Sequence, residues 1–146
     1  MRADQITIAV IFAGLTEIAL PHHAFTPVYQ GDQEITIEGV VSDFQYINPH
    51  SMLTMELADE TGASRTCLVE MAGRLSLSRY GWSDDTVSAG DRITVTGNPA
   101  RSGACRIFFR RILLPDGSEL LDPGDAEQRV LEQLRQQRAG SNTGGN

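Results

Sequence analysis

At 146 residues and 40% hydrophobic content, the chain suits one domain with one modest core rather than two. Its formal net charge of -7 excludes a general affinity for nucleic-acid backbones, because such binding depends on clustered Lys and Arg displacing counterions. All of its positive side-chain charge apart from histidine is arginine, a residue suited to bidentate pairing with carboxylates inside the protein.

Residues 1–20 open with a short charged start and continue into an apolar stretch from Ile6 to Leu15. That stretch is too short to span a bilayer and matches the central region of a secretory leader. The expectation is export to the periplasm or beyond, with the leader removed. Ala19-Leu20-Pro21 lacks the small residue that normally precedes a cut, so an uncleaved anchor and a misplaced start codon stay open. Membrane contact is expected only through such an uncleaved leader.

Residues 21–121 read as an all-β domain carrying one short helix. From Glu34 to Ile47 the apolar positions Ile35, Ile37 and Val41 hold one parity, and Phe44 and Tyr46 hold the other. A period of two that slips once predicts one long strand with a bulge near Ser42-Asp43. Asn48-Pro49 then interrupts pairing, since proline has no N–H. A second strand is predicted over Met52–Ala58, a turn at 59–62, and a third strand over Arg65–Met71. After Gly73, Leu75, Leu77 and Tyr80 provide the apolar side of a short helix that Gly81 stops. The fourth strand, Arg92–Asn98, follows the Ala89-Gly90-Asp91 turn, and the fifth covers Cys105–Leu114. Three strands, a helix and two strands is the order of a five-stranded OB-like barrel.

The C-terminal segment 122–139 opens with Asp122-Pro123, an N-cap and first-turn pair. It carries Ala126, Val130, Leu131 and Leu134 on a narrow stripe, which predicts a surface helix that packs weakly. Residues 140–146 are polar and glycine-rich and are expected to be disordered. In an OB barrel strands three and five are neighbours, so Cys67 and Cys105 lie close enough for a disulfide in an oxidising compartment; two buried thiols are the alternative.

The three histidines, His22, His23 and His50, fall at two turn-like places near the front of the domain. In chain order, His22-His23-Ala24-Phe25, Asn48-Pro49-His50-Ser51, Arg79-Tyr80-Gly81-Trp82 and Gly90-Asp91-Arg92 through Pro99-Ala100 resemble a family of small exported bacterial proteins. That family is known as domain of unknown function 6152. The resemblance implies export and the barrel, and it implies no activity. Two departures stand out: Pro21 occupies a position where the family often has alanine, and Asn98 one where it tends to have histidine.

Two functional readings follow. In the first, His22, His23 and His50 form a nitrogen-rich transition-metal site suited to copper, with Met52 and Met55 as further soft donors. Against it stands the reading that His22 and His23 belong to a leader, His50 fills the turn after strand one, and Met55 is core. In the second, a metal-free surface of Arg106, Phe108, Arg110 and Trp82 meets a partner protein or small ligand. Against that, Phe108 covers a barrel end under the C-terminal helix and Trp82 packs as a lid.

Catalysis has the least support. Ser51 beside His50 is no triad, because neighbours on an extended chain point apart, and Glu56 and Glu70 have no motif to pair them. The expectation is an exported, non-catalytic accessory domain.

Overall fold

The computed structural model describes residues 25–59 and 61–142. The first 24 residues, with the expected leader and His22 and His23, therefore lie outside the described residues, as do residues 143–146.

Strand β1 (Ile35–Gln45) takes part in both halves of the sheet, and a single irregularity in the chain makes this feasible. Its first half pairs antiparallel with β4 (Arg92–Pro99) from Ile35↔Gly97 to Val40↔Arg92, and its second half with β2 (His50–Ala58). Between Val41 and Asp43 the register with β2 shifts, leaving Ser42 as the bulged residue. The bulge carries the strand around the barrel and accounts for the phase slip in the sequence. At Gly39 and Gly97 the backbones approach so closely that a Cβ would sit 2.7 Å from the Glu56 carbonyl oxygen and 2.1 Å from that of Phe108. Only glycine fits there without a shift of backbone.

β2 returns through a tight turn into β3 (Ser64–Ala72). The Asp59 carboxylate accepts the N–H groups of Thr61 and Ala63 at 2.8 and 3.0 Å, fixing the turn and with it the register down to His50↔Ala72. Next come α2 (Arg74–Leu77) and a 3₁₀ turn at Ser78–Tyr80, ended by Gly81 in the left-handed conformation at φ 90°. Leu77 plugs the barrel end, whereas Leu75, expected on the apolar side, is 71% exposed. A helix of one turn offers a single inward position, and Leu77 takes it.

The barrel closes where β3 pairs in parallel with β5 (Arg106–Leu113), giving the strand order β3-β2-β1-β4-β5 with β5 returning to β3. This is OB connectivity. A sixth strand, β6 (Glu119–Leu121), extends β5 as an antiparallel hairpin. The sequence reading did not include it, because three residues are too few for a visible alternation. Inside, Leu53, Met55, Val69, Met71, Val95, Ile107, Phe109 and Ile112 are at most 1% exposed. Trp82 lies edge-on to Phe109 at 5.3 Å, and the Tyr46 hydroxyl donates to the Trp82 carbonyl at 2.9 Å, which seals one end.

A short helix before the barrel and a long one after it complete the described chain. α1 (Phe25–Val28) leads into Tyr29, which bridges to Ala100. α3 (Pro123–Asn142) starts from the buried Asp122, whose carboxylate accepts the Gly124 N–H at 3.0 Å. The helix runs three residues past the expected boundary at 139.

Cys67 and Cys105 are joined by a disulfide across the β3–β5 seam, at a sequence separation of 38. Closing a loop of this length removes conformational freedom from the unfolded chain, worth about 2–4 kcal/mol. Replacing both cysteines by alanine is expected to lower the unfolding free energy by about that amount in guanidinium titrations. An unchanged curve would show that closure does not depend on the bridge.

Candidate functional site

Strand parity places one set of side chains on the outer wall formed by β2, β3 and β5. Along β3, Cys67, Val69 and Met71 point inward, so Leu68, Glu70 and Ala72 face out. The registers then set Met52 opposite Glu70, Glu70 opposite Phe108, and Leu68 opposite Arg106. His50 shares a face with Met52 and is diagonal to Glu70, within reach of a side-chain contact.

Glu70 is the centre of this wall. His50 Nδ1 lies 2.9 Å from its Oε1, while the Tyr29 hydroxyl and Arg106 Nη2 both donate to its Oε2. Tyr29 arrives from outside the barrel. Its segment is fastened by Gln30 N–H to Pro99 O at 3.0 Å, Arg101 N–H to Val28 O at 2.9 Å, and the Asn98 amide donating to Gln33 O at 2.6 Å. Its ring packs on Phe108 at 5.5 Å, with the Arg106 guanidinium 5.8 Å from the ring centre.

Burial opposes ionisation of Glu70. Hydrogen bonds from Tyr29 and Arg106, then the charges of Arg106 and His50, together outweigh it and hold the carboxyl below its usual range. For Tyr29 the balance runs the other way: burial, then the hydrogen bond to Glu70 and its charge, push the phenol well above its ordinary value, so it stays a donor. Arg106 is raised mainly by its hydrogen bond to Glu70.

Several expectations are corrected by this geometry. Glu70, read as unpaired, has three side-chain partners. His50 is the first residue of β2 rather than a filler of the preceding turn. The surface of Arg106, Phe108, Arg110 and Trp82 does not form as one patch. Trp82 is 3% exposed within the core, and Phe108 is half-buried against Tyr29 instead of lying open or under the C-terminal helix. Arg110 turns to the barrel rim, donating to Asn98 Oδ1 at 2.8 Å and reaching Asp125 at 3.4 Å. Met55 is core, whereas Met52 is half-buried on the outer wall. Ser51 is buried and donates its hydroxyl to the Ile47 carbonyl at 3.1 Å.

The Glu70–His50 contact was within reach of sequence reasoning, since a hairpin turning at 59–63 dictates Met52↔Glu70. Tyr29 was not, because it precedes every strand. Among the described residues no three His, Cys, Asp or Glu side chains converge as a metal site. His23 and His22 precede Tyr29 by six and seven residues in the chain.

A family model described as a family of unknown function (DUF6152) matches residues 10–108, about two thirds of the chain. The chain belongs to that family. No curated protein matches it. The matched span of this DUF6152 member holds all three histidines together with Tyr29, Glu70, Arg106 and Phe108, and it ends before α3.

A carboxyl whose folded-state value lies below its ordinary 4.5 contributes stability in full above that pH and loses it as pH falls through the lowered value. Wild-type protein is therefore expected to exceed Glu70→Gln in urea midpoint at neutral pH, with the gap shrinking as pH drops below 4.5. A gap independent of pH would remove the ionised Glu70 as its source.

Proposed function

We propose that this DUF6152 chain is an exported, non-catalytic OB-type accessory domain that holds a copper ion through His50 together with His22 and His23. The observation that carries the reading is the 2.9 Å contact from Glu70 to His50 Nδ1. A carboxylate on Nδ1 selects the tautomer whose Nε2 lone pair is available and fixes the ring, as in carboxylate–histidine–metal arrangements. Glu70 is itself held by Tyr29 and Arg106, so the imidazole is oriented from two layers of contacts. Its side chain is 51% exposed and therefore accessible to a ligand from solution.

One oriented imidazole is not a site. Among the described residues no three His, Cys, Asp or Glu side chains converge, and we assign the remaining donors to His22 and His23. These two histidines precede Tyr29, which is tied to Glu70, by seven and six residues in the chain. Three imidazoles make a nitrogen-rich set that favours Cu(II). Export agrees with the Cys67–Cys105 bridge, since such bonds persist in oxidising compartments. The alternative of a metal-free binding module draws less support, because Tyr29 covers Phe108 and Trp82 is buried.

The test is intact mass spectrometry of envelope-purified protein under native and denaturing conditions, followed by copper titration against a competing chelator. The denatured mass locates any leader cut. One copper per chain is expected, with His50→Ala abolishing retention and Glu70→Gln weakening affinity by about 10- to 100-fold. A native mass that stays unchanged on copper addition would discard the metal reading.

A further inference from the structure

We infer that the cavity between β5, β6 and the first turns of α3 binds hydrogen phosphate, with Arg111 contacting its anionic oxygens and Glu34 accepting its proton in a hydrogen bond. The cavity has a volume of about 200 Å³, and Tyr29, His50, Glu70 and Arg106 take no part in its lining.

A β-bulge builds one wall. Phe109 pairs with Gly97 and Arg111 with Thr96, so Arg110 is an extra residue in β5. Phe109 and Ile112 are buried, whereas Arg110 and Arg111 between them both face out; strict alternation would send one of the two inward. From α3 come Asp125 and Arg129, four residues apart and so on one side of the helix. Leu121 of β6 and Glu34, just ahead of β1, complete the lining.

Three guanidinium groups thus meet two carboxylates, an excess of one positive charge in a chain whose formal net charge is -7. Two of the three cations are engaged by the protein. Arg110 donates through Nε to Asn98 and reaches Asp125 at 3.4 Å, and Arg129 pairs with Glu119 at 3.0 Å, so both are held in place and supply a fixed positive field. Arg111 and Glu34 differ from them. Both are exposed, and neither has an ion-pair partner among the described residues. Although they line one cavity, they do not pair with each other. The site therefore offers one uncommitted fork of donors and one uncommitted carboxylate acceptor.

That combination selects the ligand class. A guanidinium matches the two-oxygen edge of a tetrahedral oxyanion with parallel N–H bonds. A carboxylate on the same cavity repels a fully deprotonated anion such as sulfate, but it accepts a hydrogen bond from an oxyanion that keeps a proton. Hydrogen phosphate carries such a proton at neutral pH. The volume lies below the roughly 300–1,000 Å³ of pockets that enclose organic ligands, which suits a small ion.

Titration of the full, isotopically labelled chain with inorganic phosphate, in phosphate-free buffer at an ionic strength fixed by chloride, tests this by two-dimensional NMR. Saturable shifts of the Arg111 and Arg129 resonances are expected, with sulfate binding about tenfold more weakly. Arg111→Gln is expected to weaken phosphate binding about tenfold. Glu34→Gln, whose amide donates as well as accepts, is expected to abolish the preference for phosphate over sulfate. Unchanged resonances of the barrel core show that each variant keeps its fold. Equal binding of the two anions by the wild-type chain overturns the inference, as does a response without saturation or phosphate binding that Arg111→Gln leaves unchanged. A response to phosphatidate vesicles with none to the free ion overturns it as well.

Discussion

Closing the sheet requires β3 and β5 to lie side by side in parallel, although 33 residues of chain and three intervening elements separate the end of one from the start of the other. The loss of chain freedom on forming so distant a contact is large, and the Cys67–Cys105 bridge offsets part of it by restricting the unfolded chain at the same place. Inside the seam, Val69 and Ile107 join the apolar core. Outside it, the same pairing aligns Glu70 with Phe108 and Leu68 with Arg106. Core and outer wall are thus two faces of one register, and a slip of one residue would exchange them.

On that wall the energetic question is how a half-buried carboxylate remains ionised. Desolvation by itself disfavours the charged form of Glu70, and donors from three separate parts of the chain outweigh it: Tyr29 ahead of the barrel, His50 at the start of β2, and Arg106 at the start of β5. The arrangement joins the N-terminal segment to the barrel wall and orients the one histidine of the described residues. Asn98 adds a second tie on the neighbouring strand, donating to the carbonyls of Gln30 and Gln33 while accepting from Arg110. Asn98 thus serves as a polar clamp between the N-terminal segment and the barrel.

The barrel and α3 follow different rules. The barrel buries its apolar residues against one another, whereas α3 keeps its apolar stripe in water and touches the barrel through Asp125, Ala126 and Arg129. The narrow stripe in the sequence already separated the two, since three leucine and valine positions on one side are too few to join a second core.

Periodicity and turn chemistry determined the barrel. The alternation in the five main strands, the phase slip at Ser42-Asp43 and the glycine stop after the short helix are local signals, and each reports backbone geometry within a few residues of itself. The hairpin register between β2 and β3 was also implicit in the position of the Asp59 turn. What only the tertiary structure decided is which outward side chains meet across strands that are not hairpin partners, and what lies over them. Glu70 looked solitary because two of its partners sit 41 and 36 residues away, one of them before the first strand. Phe108 was open to an exposed or a covered reading because parity tells inward from outward but not whether a distant segment covers the outward face, and Trp82, expected as a lid, is buried. Covering and end-closure depend on how the barrel's two ends and its N-terminal segment fold back in space, and no pattern of period two encodes that.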